Sequence, residues 1–356
     1  MMKIVIDNRL VGESHPVYFI ADIGANHDGD LERAKMLIHL AKEKGAEAAK
    51  FQNFSAPKIV SDYGFKALGG QLSHQAKWNK SVFEVYQDAS VPWDWTPLLK
   101  EECDKVGIHY FSSPYDFETI DMLEPFVPAF KAGSGLMSWP EALVYVASKG
   151  KPLLMATGAS ELGEVVENVS AVLKVNPDLV LMQCNTNYTA SQENFDHIHL
   201  NVLKTYASLF PDVVLGLSDH TPGHAAVLGA VTLGARVVEK HFTDDNNREG
   251  PDHKFALDPD AWADMVARTR ELERALGSPV KRVADNEKET VVLQRRCLRA
   301  ARDIKEDEVI TREMIDVLRP ATPGAIPPKE INVVVGTKAV VDIPAGEALF
   351  WTMLGS

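Results

Sequence analysis

The chain has 356 residues, 45 % of them apolar and 24 % charged, the proportions of a globular protein with room for one large domain and a small one. Its formal net charge of −13 argues against nucleic acid or an anionic membrane surface as a partner, and confines any anionic substrate to a locally basic pocket. Three widely spaced cysteines, Cys103, Cys184 and Cys297, form no CxxC pair and imply reduced thiols in a cytoplasmic protein. The N-terminus shows no cleavable leader pattern, and no apolar run approaches the ~18 residues of a membrane span.

From Tyr18 onward, short apolar runs alternate with amphipathic stretches. The runs are 18–24, 47–53, 109–115, 129–134, 152–158, 179–186, 213–220 and 236–242. Between them lie helix-like segments such as 31–44, 140–148, 164–175 and 225–233. Eight strand candidates, each followed by a helix candidate, and runs apolar on nearly every residue, predict a (β/α)₈ TIM barrel. An open doubly wound sheet would want a GxGxxG turn after the first strand, and Gly24-Ala-Asn-His-Asp-Gly29 lacks that spacing. The long polar stretch 55–93 is expected to cross the barrel's top face. A charged helix from Trp262 to about Leu276 closes the barrel domain, 1–278, and 279–294 is expected to be a linker. Residues 295–356, with Pro and Gly turns between short β-rich pieces, form a small separate domain.

In a barrel of this kind the strand C-termini build the active site. The polar residues there are Asp22, Lys50, Gln52, Ser113, Lys131, Ser134, Thr157, Thr186, Tyr188, Ser218, His220, Glu239 and His241. Lys50 and Gln52 share a face by the two-residue period of a strand. Lys50 and Lys131 sit inside apolar runs, where burial is costly without an anionic partner, so both point to a carboxylate or phosphate ligand rather than to snorkelling into solvent. A single histidine is usually a satisfied core residue. Two at neighbouring strand tips, His220 and His241, make a divalent-metal pair. His27, His224 and His253 are expected to be loop hydrogen-bonders and Cys184 a core thiol. Asp252, in the turn Gly250-Pro-Asp, competes as a helix or turn cap and as a partner of metal-bound water.

Several of these segments carry a resemblance. Ile20-Ala-Asp-Ile-Gly-Ala-Asn-His27, Ala49-Lys-Phe-Gln52, Phe130-Lys-Ala-Gly-Ser134, Leu217-Ser-Asp-His-Thr221 and Glu239-Lys-His-Phe-Thr243 with Glu249-Gly-Pro-Asp-His253 resemble the sialic acid (nonulosonate) synthase family, which includes proteins of spore-coat polysaccharide synthesis. The tail from Arg295 resembles that family's antifreeze-like (SAF) domain. The resemblance implies condensation of phosphoenolpyruvate with the open-chain aldehyde of an N-acetylated amino sugar, with release of phosphate, for surface polysaccharide. It implies a divalent metal, manganese with magnesium or cobalt as alternatives, that acts as a Lewis acid on the aldehyde. By motif matching, His220 and His241 would hold the metal. Lys50, Ser113, Lys131 and Ser134 would hold phosphoenolpyruvate, with Gln52 and Thr157 beside them. Asp252 and Asp22 would do the proton work with Lys131, and Tyr188 and Thr186 would line the sugar pocket. Arg319 would reach the acceptor from a partner subunit, in a domain-swapped homodimer.

The chain departs from that family at Asp22, where Glu is common, and at Leu136, where a carboxylate is expected after Ser-Gly. Leu cannot move a proton, so the acceptor is expected to differ from plain N-acetylmannosamine. The rival readings are a catalytically impaired sugar-binding paralogue and condensation with a different aldose.

Overall fold

Ile4, Ile6 and Val11 alternate with exposed residues near the N-terminus. In the computed structural model, which describes residues 2–68, 75 and 78–355, they form an antiparallel hairpin of β1 (Lys3–Ile6) and β2 (Arg9–Gly12), with Asp7 at φ +55° in its turn. Eight parallel strands follow: β3 (Tyr18–Asp22), β4 (Ala48–Asn53), β5 (His109–Pro114), β6 (Phe130–Ala132), β7 (Leu153–Ala156), β8 (Leu179–Cys184), β9 (Val214–Asp219) and β10 (Val237–His241). Their order in the sheet is β5-β4-β3-β10-β9-β8-β7-β6. β5 and β6 lie side by side across the remaining seam, so the sheet curls into a near-closed barrel. The architecture is the (β/α)₈ barrel that the alternation of runs predicts.

Two cores follow from the period of the strands. Phe19, Ala49, Phe130, Leu181 and Val238 face outward onto the helices, with Leu37, Leu99 and Trp262 among their partners. Tyr18, Ile20, Ala48, Phe111, Leu154, Val180 and Val237 face inward, and Ile4, Ile6 and Val11 of the hairpin belong to this inner cluster. The hairpin therefore closes the floor of the barrel, at the N-terminal ends of the strands. The helix Leu31–Glu43 starts at Asp30, whose carboxylate accepts the Glu32 amide at 2.8 Å.

Contacts divide the chain into two units, Met1–Gly277 and Ser278–Ser356. The helix Pro259–Leu276 ends the first. The stretch 279–294, expected to be a plain linker, falls in the second unit and contains a short exposed helix, Lys288–Gln294. The second unit pairs β11 (Cys297–Ala300) with β12 (Ile315–Leu318) and β13 (Lys338–Ala339) with β14 (Leu354–Gly355), all antiparallel. It has its own small core around Leu298, Ile304, Ile315, Ile326 and Leu349.

Ile6 is fully buried in the floor. Ile6→Ala is expected to lower the barrel's unfolding free energy by about 2–5 kcal/mol, the usual cost of such a core truncation. Urea denaturation checks this, and an unchanged midpoint would show that the hairpin contributes nothing to the core.

Candidate active site

Register places the chemistry. Asp22 is level with Lys50 on one side and His241 on the other, so three inward-facing side chains from adjacent strand tips meet. The Asp22 Oδ2 lies 2.6 Å from Lys50 Nζ and 3.3 Å from His241 Nε2, and accepts from Gln52 Nε2 at 3.3 Å. Its Oδ1 accepts the Gly24 amide at 3.0 Å. Lys50 also reaches Ser113 Oγ at 3.4 Å. Glu239 bridges toward both lysines, 3.7 Å from Lys50 Nζ and 3.3 Å from Lys131 Nζ. All of these groups are buried except Gln52, which is half-buried. Burial works against the Lys50 ammonium group, but the carboxylates of Asp22 and Glu239 outweigh it and hold its pKa above the ordinary lysine value.

The imidazoles of His220 and His241 stand with ring centroids 5.5 Å apart, under Tyr188 and Phe255. His220 Nδ1 is engaged by the Asn185 carbonyl at 2.8 Å. His241 Nδ1 is buried without a hydrogen bond among the described residues. Burial lowers the pKa of both, and for His241 the neighbouring His220 adds to the effect. Two neutral imidazoles with carboxylates beside them are a donor set suited to a divalent cation. The backbone partner of His220 Nδ1 is the outer contact that orients a ligating imidazole. Among the described residues, no group of three or more His, Cys, Asp or Glu side chains stands ready as a ligand set. The protein's part would thus be the two imidazoles, with the remaining positions open to solvent or substrate.

Asp252 lies on the loop after β10. Its Oδ2 accepts the Ala25 amide at 2.9 Å and sits 3.7 Å from His241 Nδ1. A Cβ on Gly24, which has φ +51°, would stand 2.5 Å from that oxygen, so only glycine lets the two loops close this tightly. Burial, with Asp22 adding to it against the Ala25 amide, pushes the Asp252 carboxyl up to about 6. A second set of contacts latches the same loops. His253, fully buried, contacts Asp28 Oδ1 through Nε2 at 2.9 Å and Thr243 Oγ1 through Nδ1 at 2.7 Å. Asp28 Oδ2 also takes Arg248 at 2.8 Å and Arg33 at 3.1 Å. The residue next to Asp252 is thereby locked, and the carboxylate with it.

Above these tips opens a cavity of about 670 Å³, walled by Phe54, Tyr86, Tyr115, Leu136, Trp139 and Tyr188 and reached by Gln52, Ser134, Thr186, His241 and Asp252. Part of its wall comes from the excursion 55–93, of which 69–74 and 76–77 lie outside the described residues. Thr186 Oγ1 donates to Ser134 Oγ at 2.9 Å. Gly158, at φ +44°, permits this, because a Cβ there would lie 2.2 Å from Ser134 Cβ and 2.3 Å from Thr186 Oγ1.

One expected residue is placed elsewhere. Alternation along β7 puts Leu154 and Ala156 in the inner cluster and turns Thr157 to the helix side, where its hydroxyl donates to the Met182 carbonyl at 3.2 Å. Arg319 belongs to the C-terminal unit, exposed directly after β12. Cys184 is a buried thiol pushed up to about 11 by burial, which suits a core residue and not a nucleophile. Two participants carried no assigned role from sequence, Glu239 and the buried pair Lys240–Asp219 at 2.6 Å on the outward face, while His253 is the loop hydrogen-bonder expected of it, with Asp28 as its partner. A charged residue alternating with tip residues in a strand buried on both sides was the available signal for Lys240 and for Glu239.

Known proteins resemble the whole chain. The model of the NeuB family matches residues 37–281, and that of the SAF domain residues 295–355. The chain is 35 % identical to the N,N'-diacetyllegionaminic acid synthase of Legionella pneumophila, over 96 % of this chain and 95 % of that one. It is 33 % identical to the human N-acetylneuraminate-9-phosphate synthase, over 96 % and 93 %. The crystal structure of the spore coat polysaccharide biosynthesis protein SpsE of Bacillus subtilis superposes with a TM-score of 0.65 at 30 % identity, over 99 % of both chains.

The loop that carries this site holds a pH-sensitive group. His27, fully buried beside Trp95, is lowered by burial from 6.5 to about 4. The native state then binds fewer protons than the unfolded chain below pH 6.5. Its stability is full above that value and falls as the pH drops toward 4, by about 3 kcal/mol in all at ~1.4 kcal/mol per pH unit. Urea denaturation against pH is expected to show this slope in the wild type and a flatter one in His27→Asn. Equal slopes would assign the acid sensitivity to other groups.

Proposed function

The chain belongs to the NeuB family and carries a C-terminal SAF domain, and from this we propose that it is a nonulosonic acid synthase that condenses phosphoenolpyruvate with the aldehyde of an N-acetylated amino sugar. The observation that carries this reading is the pair of buried lysines, Lys50 and Lys131, which both face Glu239 at the strand tips whose neighbours His241 and Asp252 line the cavity. Two buried cations side by side suit a small ligand with two anionic groups, a carboxylate and a phosphate.

In this reading Lys50, Lys131, Ser113 and Ser134 hold phosphoenolpyruvate, and Asp22 aims Lys50. His220 and His241 would hold a divalent cation, manganese or else magnesium or cobalt, whose charge polarises the aldehyde. C3 of phosphoenolpyruvate attacks the aldehyde carbon and a C–C bond forms. Asp252, facing the cavity, hands a proton to the aldehyde oxygen and recovers one from the water that adds at C2. The C2–O bond of the phosphate ester then breaks, the C2 hydroxyl gives its proton to the departing phosphate, and a 2-keto acid and inorganic phosphate remain. Tyr188 and Thr186 line the sugar, and Arg319 reaches it from the partner in a domain-swapped homodimer. The setting we propose is the cytoplasm, where the product would supply surface polysaccharide. No helix among the described residues is long and apolar enough to cross a membrane.

Leu136, buried in the cavity wall, supplies neither charge nor hydrogen bond, which favours an acceptor other than N-acetylmannosamine. The test is phosphate release from phosphoenolpyruvate with manganese across N-acetylmannosamine, mannose, and mono- and diacetamido hexoses. Release that depends on one sugar, with N-acetylmannosamine used poorly, is expected. Efficient use of N-acetylmannosamine would sink the acceptor assignment, and no release with any sugar would sink the synthase reading. His220→Ala and His241→Ala are each expected to lose bound manganese by metal analysis, and phosphate release with it, at an unchanged melting temperature. Retained activity in both would refute the metal pair.

A further inference from the structure

Glu239 is 4 % exposed on the inner face of β10. Its Oε1 accepts from Ser218 Oγ at 3.4 Å and faces Lys131 Nζ at 3.3 Å and Lys50 Nζ at 3.7 Å. Its Oε2 is buried and accepts no hydrogen bond among the described residues. Leaving such an oxygen unsatisfied costs about 1–3 kcal/mol, a cost that a site tolerates when a ligand brings the missing donor. Neither lysine closes on Glu239 as Lys50 closes on Asp22 at 2.6 Å. Lys131 makes two long contacts, with Glu239 and with the Ala132 carbonyl at 3.4 Å.

We propose that Glu239 is a displaceable counter-ion that holds the ammonium groups of Lys131 and Lys50 in place until a small carboxylate-phosphate anion takes them over, and that it thereby sets the affinity of the site for that anion. The inference rests on the phosphoenolpyruvate reading above. Its sign is unusual. A residue that merely builds the pocket weakens binding when it is removed. A competing anion strengthens binding when it is removed, because the lysine charge left behind is buried and uncompensated.

The experiment is calorimetric titration of the full-length chain with phosphoenolpyruvate, in the presence of a chelator, so that the readout is binding and not turnover. Glu239→Gln is expected to bind phosphoenolpyruvate about tenfold more tightly than the wild type, the scale on which one close charge shifts a neighbouring ionic equilibrium. Glu239→Met, a second charge-free variant, is expected to move in the same direction, and melting curves identify which of the two remains folded. Equal or weaker binding in a folded variant overturns the counter-ion role while leaving the phosphoenolpyruvate reading in place. Absence of saturable binding by the wild type overturns that reading, and this inference with it.

Discussion

Ammonium groups do not enter a protein interior alone, and two of them among the inward-facing strand tips organise this barrel. Lys50 and Lys131 are each 2 % exposed. Their burial is supportable only if carboxylates are buried with them. Asp22 and Glu239 meet that demand from β3 and β10, which requires the strand tips to be level, and the parallel register makes them so. His241 then follows from Glu239 by the two-residue period, and the imidazole pair with His220 from the pairing of β10 with β9. Charge, register and the candidate metal pair are one constraint seen at three scales.

The latch on the loops serves the same cluster from above. Asp252 gains its place from Gly24, which yields room, and from His253, which is pinned between Thr243 and Asp28. None of these groups need touch a substrate to matter. They fix where one carboxylate stands relative to one imidazole, and positional errors of about 1 Å in such arrangements are costly to chemistry.

The barrel and its strand tips were legible because they depend on local alternation: apolar on both faces, polar at one end. The same alternation, applied residue by residue, would have turned Thr157 outward, but only once the inner face of β7 was known from Leu154 and Ala156. Contacts between distant positions were not legible. Asp28 and His253 are 225 positions apart, and each looked like an ordinary loop residue. The floor hairpin was missed for a different reason: its strands are short, and Ile4, Ile6 and Val11 acquire meaning only when a barrel end needs closing. Gly158 could be seen as punctuation, but not as the gap that lets Ser134 and Thr186 meet.

That floor has a consequence for traffic. The hairpin stoppers the barrel below Tyr18 and Phe111, and the cavity opens at the opposite end of the strands. What the cavity admits cannot leave through the floor, so incoming and outgoing molecules share the C-terminal end of the barrel. In the proposed reaction, a small anion would have to vacate the lysines at that end before the next could reach them.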